Sequence, residues 1–297
     1  MDILPQLLIN TLITGSIYAL ASSGLSLSYG LLKILNFAHG QMMTVGVYIF
    51  YLLTAEHGIS VFAAFPLTMI FTLLLSTIIL YVFILPFSRY GIVLPFISTL
   101  ALATILESLI SIFFGVNVKS LSTGSFAESI EIGPTYYITP IQIIIFSSAI
   151  VFLIILAFFI HHTKFGRAIR SLSENSYAAA SLGISSAKVS LYVFGLSAIL
   201  ATYSGILVGY ETNIQPTMGN IYTIKAFAVM ILGGLGNIWG TIAASFLLGL
   251  IENLSIGIDI GNWSLPVGYK DAFAYFVILL VLLFKPEGLF TRAKRKT

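Results

Sequence analysis

Nine long apolar runs, separated by short polar or turn-rich breaks, constrain this chain of 297 residues more than any other feature. Only 8% of the residues are charged and 58% are hydrophobic, whereas about a quarter of the residues in a soluble domain are charged. Because a bilayer-spanning helix needs roughly 20 apolar residues, we predict an all-α, polytopic membrane bundle of about eight or nine spans. It is expected to form a single transmembrane domain over residues 1–297. The runs cover residues 5–30, 38–55, 61–86, 94–115, 141–162, 189–210, 222–235, 238–257 and 270–285.

The seventh run is short for a membrane span and ends in the glycine-rich sequence Gly233-Gly234-Leu235-Gly236. A broken or re-entrant helix is tolerated at membrane depth only where protein or a water-filled cavity satisfies its backbone. The region 222–240 is therefore predicted to form either a short span or a broken helix. Its glycines serve either close helix packing or a backbone that faces a cavity.

The basic residues indicate how the chain is oriented. If all nine runs cross the membrane, 11 of the 14 basic residues fall on the same side. By the positive-inside rule that side is cytoplasmic, so we expect the N-terminus outside and the C-terminus inside. The opposite side then holds Lys119, Lys225 and Lys270. The 11 residues are Lys33, Arg89, Lys164, Arg167, Arg170, Lys188, Lys285, Arg292, Lys294, Arg295 and Lys296.

Several classes of chemistry are excluded by what the sequence lacks. The chain has no cysteine, which excludes disulfides, thiolate metal sites and cysteine nucleophiles. It also has no Gly-x-x-x-x-Gly-Lys-Ser/Thr phosphate loop, no Gly-x-Ser-x-Gly elbow and no His-Glu-x-x-His motif. We therefore expect no catalytic residues, no cofactor and no metal site, and without a phosphate loop the chain cannot itself bind and hydrolyse ATP by that route. The net charge of +3 does not indicate a nucleic-acid partner.

The longest stretch on the basic side, residues 163–188, is where the sequence builds a compact polar structure beside the membrane. Asn175 can act as a helix N-cap, with Ser171-Leu172-Ser173-Glu174 as a competing capping-box start. A helix of about two turns follows, and Gly183 before Ile184 fits a left-handed C-terminal cap. Because so short a helix is marginal alone, it must dock either on its own bundle or on a partner.

Short motifs run along the whole chain: Gly15-Ser-Ile-Tyr-Ala-Leu20, Tyr29-Gly30, Asn36-Phe-Ala-His-Gly-Gln41, Arg167-Ala-Ile-Arg170, Glu174-Asn175, Gly183-Ile184, Lys225-Ala-Phe227, Leu232-Gly-Gly-Leu-Gly236, Tyr269-Lys-Asp271 and Lys285-Pro-Glu-Gly-Leu-Phe290. Together they resemble the bacterial ABC permeases of the branched-chain amino acid family, with residues 163–188 as the EAA-type cytoplasmic coupling loop. The Asn-Phe-Ala-His-Gly segment is nearer to the LivH-type than to the longer LivM-type subunit. The resemblance implies a bacterial inner-membrane protein in contact with lipid. It also implies a second, LivM-like permease, two ABC ATPase subunits and an extracytoplasmic substrate-binding protein as partners.

The resemblance also implies roles for two groups of residues. One group couples the permease to the ATPase, as a rigid knob that fits a cleft on that subunit and transmits its motion to the flanking spans. The other group lines the translocation path or its gate, although residues 36–41 also fit a polar turn between helices, with His39 bonded to nearby backbone. The coupling residues are Glu174, Asn175, Ala178, Ala179, Gly183 and Ile184, and the path residues are Asn36, His39, Gln41, Gly233, Gly234 and Gly236.

Two carboxylates, Glu107 and Glu252, fall inside or near the ends of predicted spans, where an ionisable residue suggests function. A structural role is the alternative for each, with Glu252 capping a helix or forming an ion pair near the interface and Glu107 protonated or paired if it is buried. The leading prediction is the permease subunit of an ATP-binding-cassette importer of branched-chain or related amino acids. The rival is an ion-coupled secondary transporter of small polar solutes, in which both carboxylates and His39 would carry protons.

Overall fold

Helix α1 (Leu4–Leu32) lies at the centre of the fold and packs against α9 (Ser186–Glu211), α10 (Met218–Gly233) and α11 (Ile238–Ile256). This computed structural model describes residues 4–121, 129–133, 136–256, 259–260, 263–264 and 266–290. Small residues on α1 allow the close packing: Gly24 accepts a hydrogen bond from the Ser197 hydroxyl at 2.7 Å. A side chain at Gly24 would meet the backbone of α9. Such small-residue contacts are typical of helix pairs in membranes.

The remaining helices surround this centre. Helix α2 (His39–Tyr51) is continued by a π-helical turn, Leu52–Glu56, and α3 (Val61–Ile78) runs through π-helical residues Ile79–Ile84 into α4 (Leu85–Ser88). The others are α5 (Val93–Phe114), α6 (Pro140–His162), α7 (Lys164–Glu174), α8 (Ser176–Ser181) and α12 (Lys270–Phe284), which follows a 3-10 turn at Val267–Tyr269. Two short antiparallel hairpins pair β1 (Ile130–Gly133) with β2 (Tyr136–Ile138) and β3 (Asp259–Ile260) with β4 (Trp263–Ser264).

The nine predicted runs correspond to nine helical segments whose ends lie within a few residues of the prediction. In the described part of the chain, six of these segments are long and apolar enough to cross a membrane. The other three, at residues 39–56, α10 and α12, are shorter. The prediction of an all-α polytopic bundle is therefore confirmed. Helix α10 is continuous to Gly233, and the break suggested by the glycines lies after it, in the turn that leads into α11.

Helix α2 is short because the chain has already returned into the bundle before the helix begins. Residues 33–36 are irregular and residues 37–38 form a turn. His39 then places its Nε2 2.8 Å from the carbonyl oxygen of Ala21. Because Ala21 lies 11 residues before the end of α1, α2 starts about 16 Å inside that end of the bundle, at 1.5 Å per residue.

The contacts between connecting segments define two ends of the bundle. At the first end, Lys119 forms an ion pair with Glu56 at 3.4 Å and pairs its backbone with Ile214. At the second end, Lys33 and Arg170 line a common cleft beside α7. Two basic residues predicted to share one side thus lie together at the second end, here called the basic end. Arg292, Lys294, Arg295 and Lys296, assigned to the same side, lie outside the described residues.

Candidate functional site

Each polar residue of the segment 36–41 has a structural contact. The Asn36 Oδ1 accepts a hydrogen bond from the Ala38 N–H at 3.1 Å, which closes a turn before α2. The Phe37 ring packs between Phe96 and Phe227, with centroid separations of 4.8 and 4.6 Å. This segment therefore forms the polar helix-to-helix turn that was one of its two sequence interpretations.

His39 anchors the start of α2 to α1. Its side chain is fully buried, and the Nε2 lies 2.8 Å from the Ala21 carbonyl oxygen. Because a carbonyl can only accept, this ring nitrogen carries the proton. The contact matches the predicted alternative in which His39 bonds to backbone, and the side chain has no exposed surface. A role of His39 in a gate stays a prediction.

Gly40 brings α2 into close contact with α10. A Cβ at Gly40 would lie 2.0 Å from the Gly219 carbonyl oxygen, and a Cβ at Gly219 would lie 2.6 Å from the Thr44 hydroxyl. The Gly40 N–H also donates to the Thr223 hydroxyl at 3.1 Å. Only glycines fit at this crossing, and the crossing sets Gln41 beside Asn220.

Gln41, Glu107 and Asn220 form a polar cluster where α2, α5 and α10 meet, here called the midplane cluster because Glu107 lies between the two ends of α5. The Gln41 Nε2 donates to Glu107 Oε2 at 3.3 Å and to Asn220 Oδ1 at 3.2 Å. The Asn220 Nδ2 donates to the same Glu107 Oε2 at 2.7 Å. Gln41 is fully buried, Glu107 is half-buried and Asn220 is exposed, so the cluster opens on the surface of the bundle. Glu107 lies about 20 Å from the start of α5 and about 10 Å from its end, well within the span.

A second polar cluster is closed. The Lys225 Nζ contacts Glu252 Oε1 at 3.0 Å and Asp271 Oδ1 at 3.1 Å, and it also bonds the Tyr18 hydroxyl at 2.8 Å. The Tyr18 hydroxyl in turn donates to Glu252 Oε2 at 2.7 Å. Lys225 is 5% exposed and Glu252 is 2% exposed, whereas Asp271 is 37% exposed at its side chain. These ion pairs and the hydrogen bonds of Tyr18 together link α1, α10, α11 and α12.

The assignment of Lys225 to the external side was wrong. Lys225 lies in the middle of α10, where the bundle supplies two carboxylates and a phenol that replace the water around its ammonium group. Glu252 forms the ion pair that was its structural alternative. The charge count along the sequence could not separate a lysine in a loop from one buried in a span, because both interrupt an apolar run equally.

Close packing at the end of α10 and the backbone conformation of the turn after it account for three glycines of the predicted path. A Cβ at Gly233 would lie 2.5 Å from the backbone of Gly240. Gly234 and Gly236 have φ angles of +99° and +79°, in the left-handed region that favours glycine. The turn lines a cleft of about 500 Å³ at the basic end, which it shares with Arg170. A role for these glycines in a gate stays a prediction.

The coupling loop predicted at 163–188 forms α7, α8 and the start of α9. The Asn175 Oδ1 accepts from the backbone N–H of Tyr177 at 3.1 Å and of Ala178 at 3.0 Å, so Asn175 is the N-cap of α8 as predicted. Gly183 has a φ of +83°, and the Ile184 N–H donates to the Ala179 carbonyl at 3.1 Å. The predicted left-handed C-terminal cap is therefore present.

Helix α8 presents apolar side chains to its surroundings. Ala179 is 2% exposed and packs against the bundle, whereas Tyr177 is 89% exposed and Leu182 is 81% exposed. Glu174 and Ala178 are exposed as well. Exposed aromatic and aliphatic side chains on a short capped helix outside the spans are typical of a docking surface.

Sequence reasoning missed Asn220 and Tyr18 as members of these clusters. Asn220 lies 179 residues from Gln41, and Tyr18 lies 234 residues from Glu252. Asn220 falls just before the apolar run at 222–235, so the apolar pattern does not include it in a helix. No local signal pairs residues so far apart, because helix packing alone brings them together.

Comparison with known proteins identifies similar sequences over nearly the full length. The family described as branched-chain amino acid transport system, permease component, matches residues 7–282. The high-affinity branched-chain amino acid transport system permease protein BraD of Pseudomonas aeruginosa is 31% identical over 97% of this chain and 95% of its own length. The protein LivH of Escherichia coli, which has the same description, is 29% identical over the same shares. The ribose import permease protein RbsC of Escherichia coli is 32% identical over 55% of this chain and 53% of its own length. No solved structure matches the chain.

Proposed function

Because this chain belongs to the family of branched-chain amino acid transport permeases, we propose that it is the membrane-spanning permease subunit of an ATP-binding-cassette importer. Its substrates are branched-chain or related amino acids. The protein is a transport subunit and not an enzyme, and ATP hydrolysis takes place on separate subunits. The apolar helices support a multi-pass protein of the bacterial inner membrane. The lack of a phosphate loop supports an external source of energy.

The observation that carries this proposal is the exposed helix α8. Tyr177 and Leu182 project from it at the basic end of the bundle, while Ala179 fixes it to the permease. We assign this surface, with Glu174, Asn175, Ala178, Gly183 and Ile184, to the docking site of an ATPase subunit. Since α7 and α8 connect α6 to α9, movement of the ATPase acts directly on two spans.

The charge distribution supports an orientation with the basic end in the cytoplasm. The N-terminus is then outside and the C-terminus inside. A second, LivM-like permease covers the open face beside α2, α5 and α10, because polar side chains on that face are unsuited to contact with lipid. The translocation path runs along this face past Gln41, with the Asn36–His39 turn and the glycines at 233, 234 and 236 nearer the cytoplasmic gate. An extracytoplasmic binding protein delivers the substrate to the opposite end.

Reconstitution tests the energy source. Proteoliposomes with this chain, the second permease and both ATPases should take up leucine only with ATP on the ATPase side and binding protein on the other. A proton gradient without nucleotide or binding protein should drive no uptake. Uptake driven by that gradient alone would instead support an ion-coupled secondary transporter.

Cysteine labelling tests the orientation, and the natural absence of cysteine makes single replacements specific. In intact spheroplasts, an impermeant maleimide should label Glu56→Cys from outside and should leave Ala180→Cys unlabelled until the membrane is opened. External labelling of Ala180→Cys would place α8 away from any cytoplasmic ATPase and contradict the proposal.

A further inference from the structure

The surface of α5 is divided into a polar edge and an apolar edge at the depth of the midplane cluster. Thr104 and Ser108 are exposed, and Glu107 and Ser111 are half-buried, at spacings of three or four residues that place all four near one edge. The other exposed edge carries Ile105, Leu109 and Ile112. The apolar edge suits contact with lipid. The polar edge, which adjoins Asn220, suits a hydrated passage.

The hydrogen bonds within the midplane cluster leave mainly acceptors unused. Both amide hydrogens of Gln41 point to partners, one toward Glu107 and one toward Asn220. The Gln41 Oε1 is buried and has no hydrogen-bond partner among the described residues. Among the residues that the structure describes, both hydrogen bonds to the Glu107 carboxylate end at Oε2, which leaves Oε1 without one. The donor that remains is one N–H of Asn220.

The unpartnered amide oxygen of Gln41 and the unpartnered Oε1 of the Glu107 carboxylate are complementary to an ammonium group, which has three donors, no acceptor and a positive charge. A buried amide oxygen without a partner is unfavourable, and a bound donor would remove that cost. We propose that Glu107, with Gln41 and Asn220, forms a site on the transport path that binds the ammonium group of the amino acid in transit. This inference rests on the proposed function and adds a binding site for one part of the substrate.

The charge of Glu107 can be removed without disturbing the cluster. In Glu107→Gln, the amide oxygen can still accept from Gln41 and Asn220, as Oε2 does now, so the packing of α2, α5 and α10 is retained. A Glu107 that served only to accept these two hydrogen bonds would tolerate this change, whereas a site for a cation would not. Glu107→Asp keeps the charge on a shorter side chain.

The experiment measures radiolabelled leucine uptake and ATP hydrolysis in the same proteoliposomes, which contain the complete importer and saturating binding protein. For Glu107→Gln we expect leucine uptake per ATP hydrolysed to fall roughly 10- to 100-fold, because one charge-assisted contact is lost. Stimulation of ATP hydrolysis by the binding protein should change less than about twofold, since the ATPase contact is distant. Glu107→Asp should recover part of the uptake.

The matched control is Glu56→Gln, the same chemical change at an ion pair outside the cluster, and it should leave uptake unchanged. Wild-type uptake by Glu107→Gln would overturn the inference while leaving the proposed function intact. A parallel loss of uptake and ATP hydrolysis in Glu107→Gln, with no recovery in Glu107→Asp, would overturn it in favour of a structural role. Failure of the wild-type importer to use ATP would refute the proposed function itself, and the ammonium site would fall with it.

Discussion

The closed cluster around Lys225 leads to an asymmetric prediction about stability. Lys225→Met removes the cation that faces Glu252 at 3.0 Å and leaves a carboxylate that is only 2% exposed. Removing one partner of a buried ion pair costs about 3–5 kcal/mol of unfolding free energy. Glu252→Gln should cost less, about 1–3 kcal/mol, because Lys225 keeps Asp271 at 3.1 Å and the Tyr18 hydroxyl at 2.8 Å.

The double variant distinguishes a stranded charge from general damage to packing. Lys225→Met with Glu252→Gln removes both members of the pair, so it should be more stable than Lys225→Met alone by about 1–3 kcal/mol. The purified protein in mixed micelles is unfolded by titration with SDS, and circular dichroism monitors the unfolding. Lys119→Met is the control, since its ion pair with Glu56 is solvent-accessible and such pairs contribute about 0–1 kcal/mol. Strictly additive losses in the double variant would refute this explanation of the cluster.

Three further predictions concern helix contacts and caps. Gly40→Ala should destabilise the protein by about 1–3 kcal/mol in the same titration, because its Cβ would lie 2.0 Å from the Gly219 carbonyl oxygen. The control Gly268→Ala should be neutral, since a Cβ at Gly268 would meet no atom within 4 Å. Gly183→Val should reduce leucine uptake per ATP hydrolysed, because a β-branched residue is strained at a φ of +83°. Membrane insertion, measured by membrane fractionation, should stay normal. Gly183→Asn should retain coupling, and equal coupling in both variants would contradict the role of the cap. Glu174→Ala should weaken binding of the ATPase, measured by co-purification, by no more than about 0.3–1 kcal/mol, as expected for an exposed carboxylate just before the N-cap of α8. Complete loss of the complex would be a contrary result.

The helical framework was predictable because bilayer thickness imposes a minimum length on every span. The caps of α8 were predictable for a similar reason: Asn175 and Gly183 act through backbone groups only a few residues away. The early start of α2 inside the bundle was not predictable, since it depends on the contact of His39 with Ala21 on another helix.

The composition of the polar clusters could be predicted only in part. The cost of charge at membrane depth singled out Glu107 and Glu252. Their partners Asn220 and Lys225 belong to the same short helix, α10, whose start and depth the apolar pattern did not define. Whether a polar cluster is open or closed depends on how up to four helices pack together. The periodicity of a single segment carries no information about that packing.

Contact between α8 and an ATPase subunit is the central claim of this account, and site-specific photo-crosslinking tests it most directly. A benzophenone amino acid in place of Tyr177, which is 89% exposed, should form a covalent adduct with the ATPase in cells that import leucine. The same probe in place of Phe62, which is 93% exposed at the start of α3, should form none. An ATPase adduct at Phe62 together with none at Tyr177 would contradict the account.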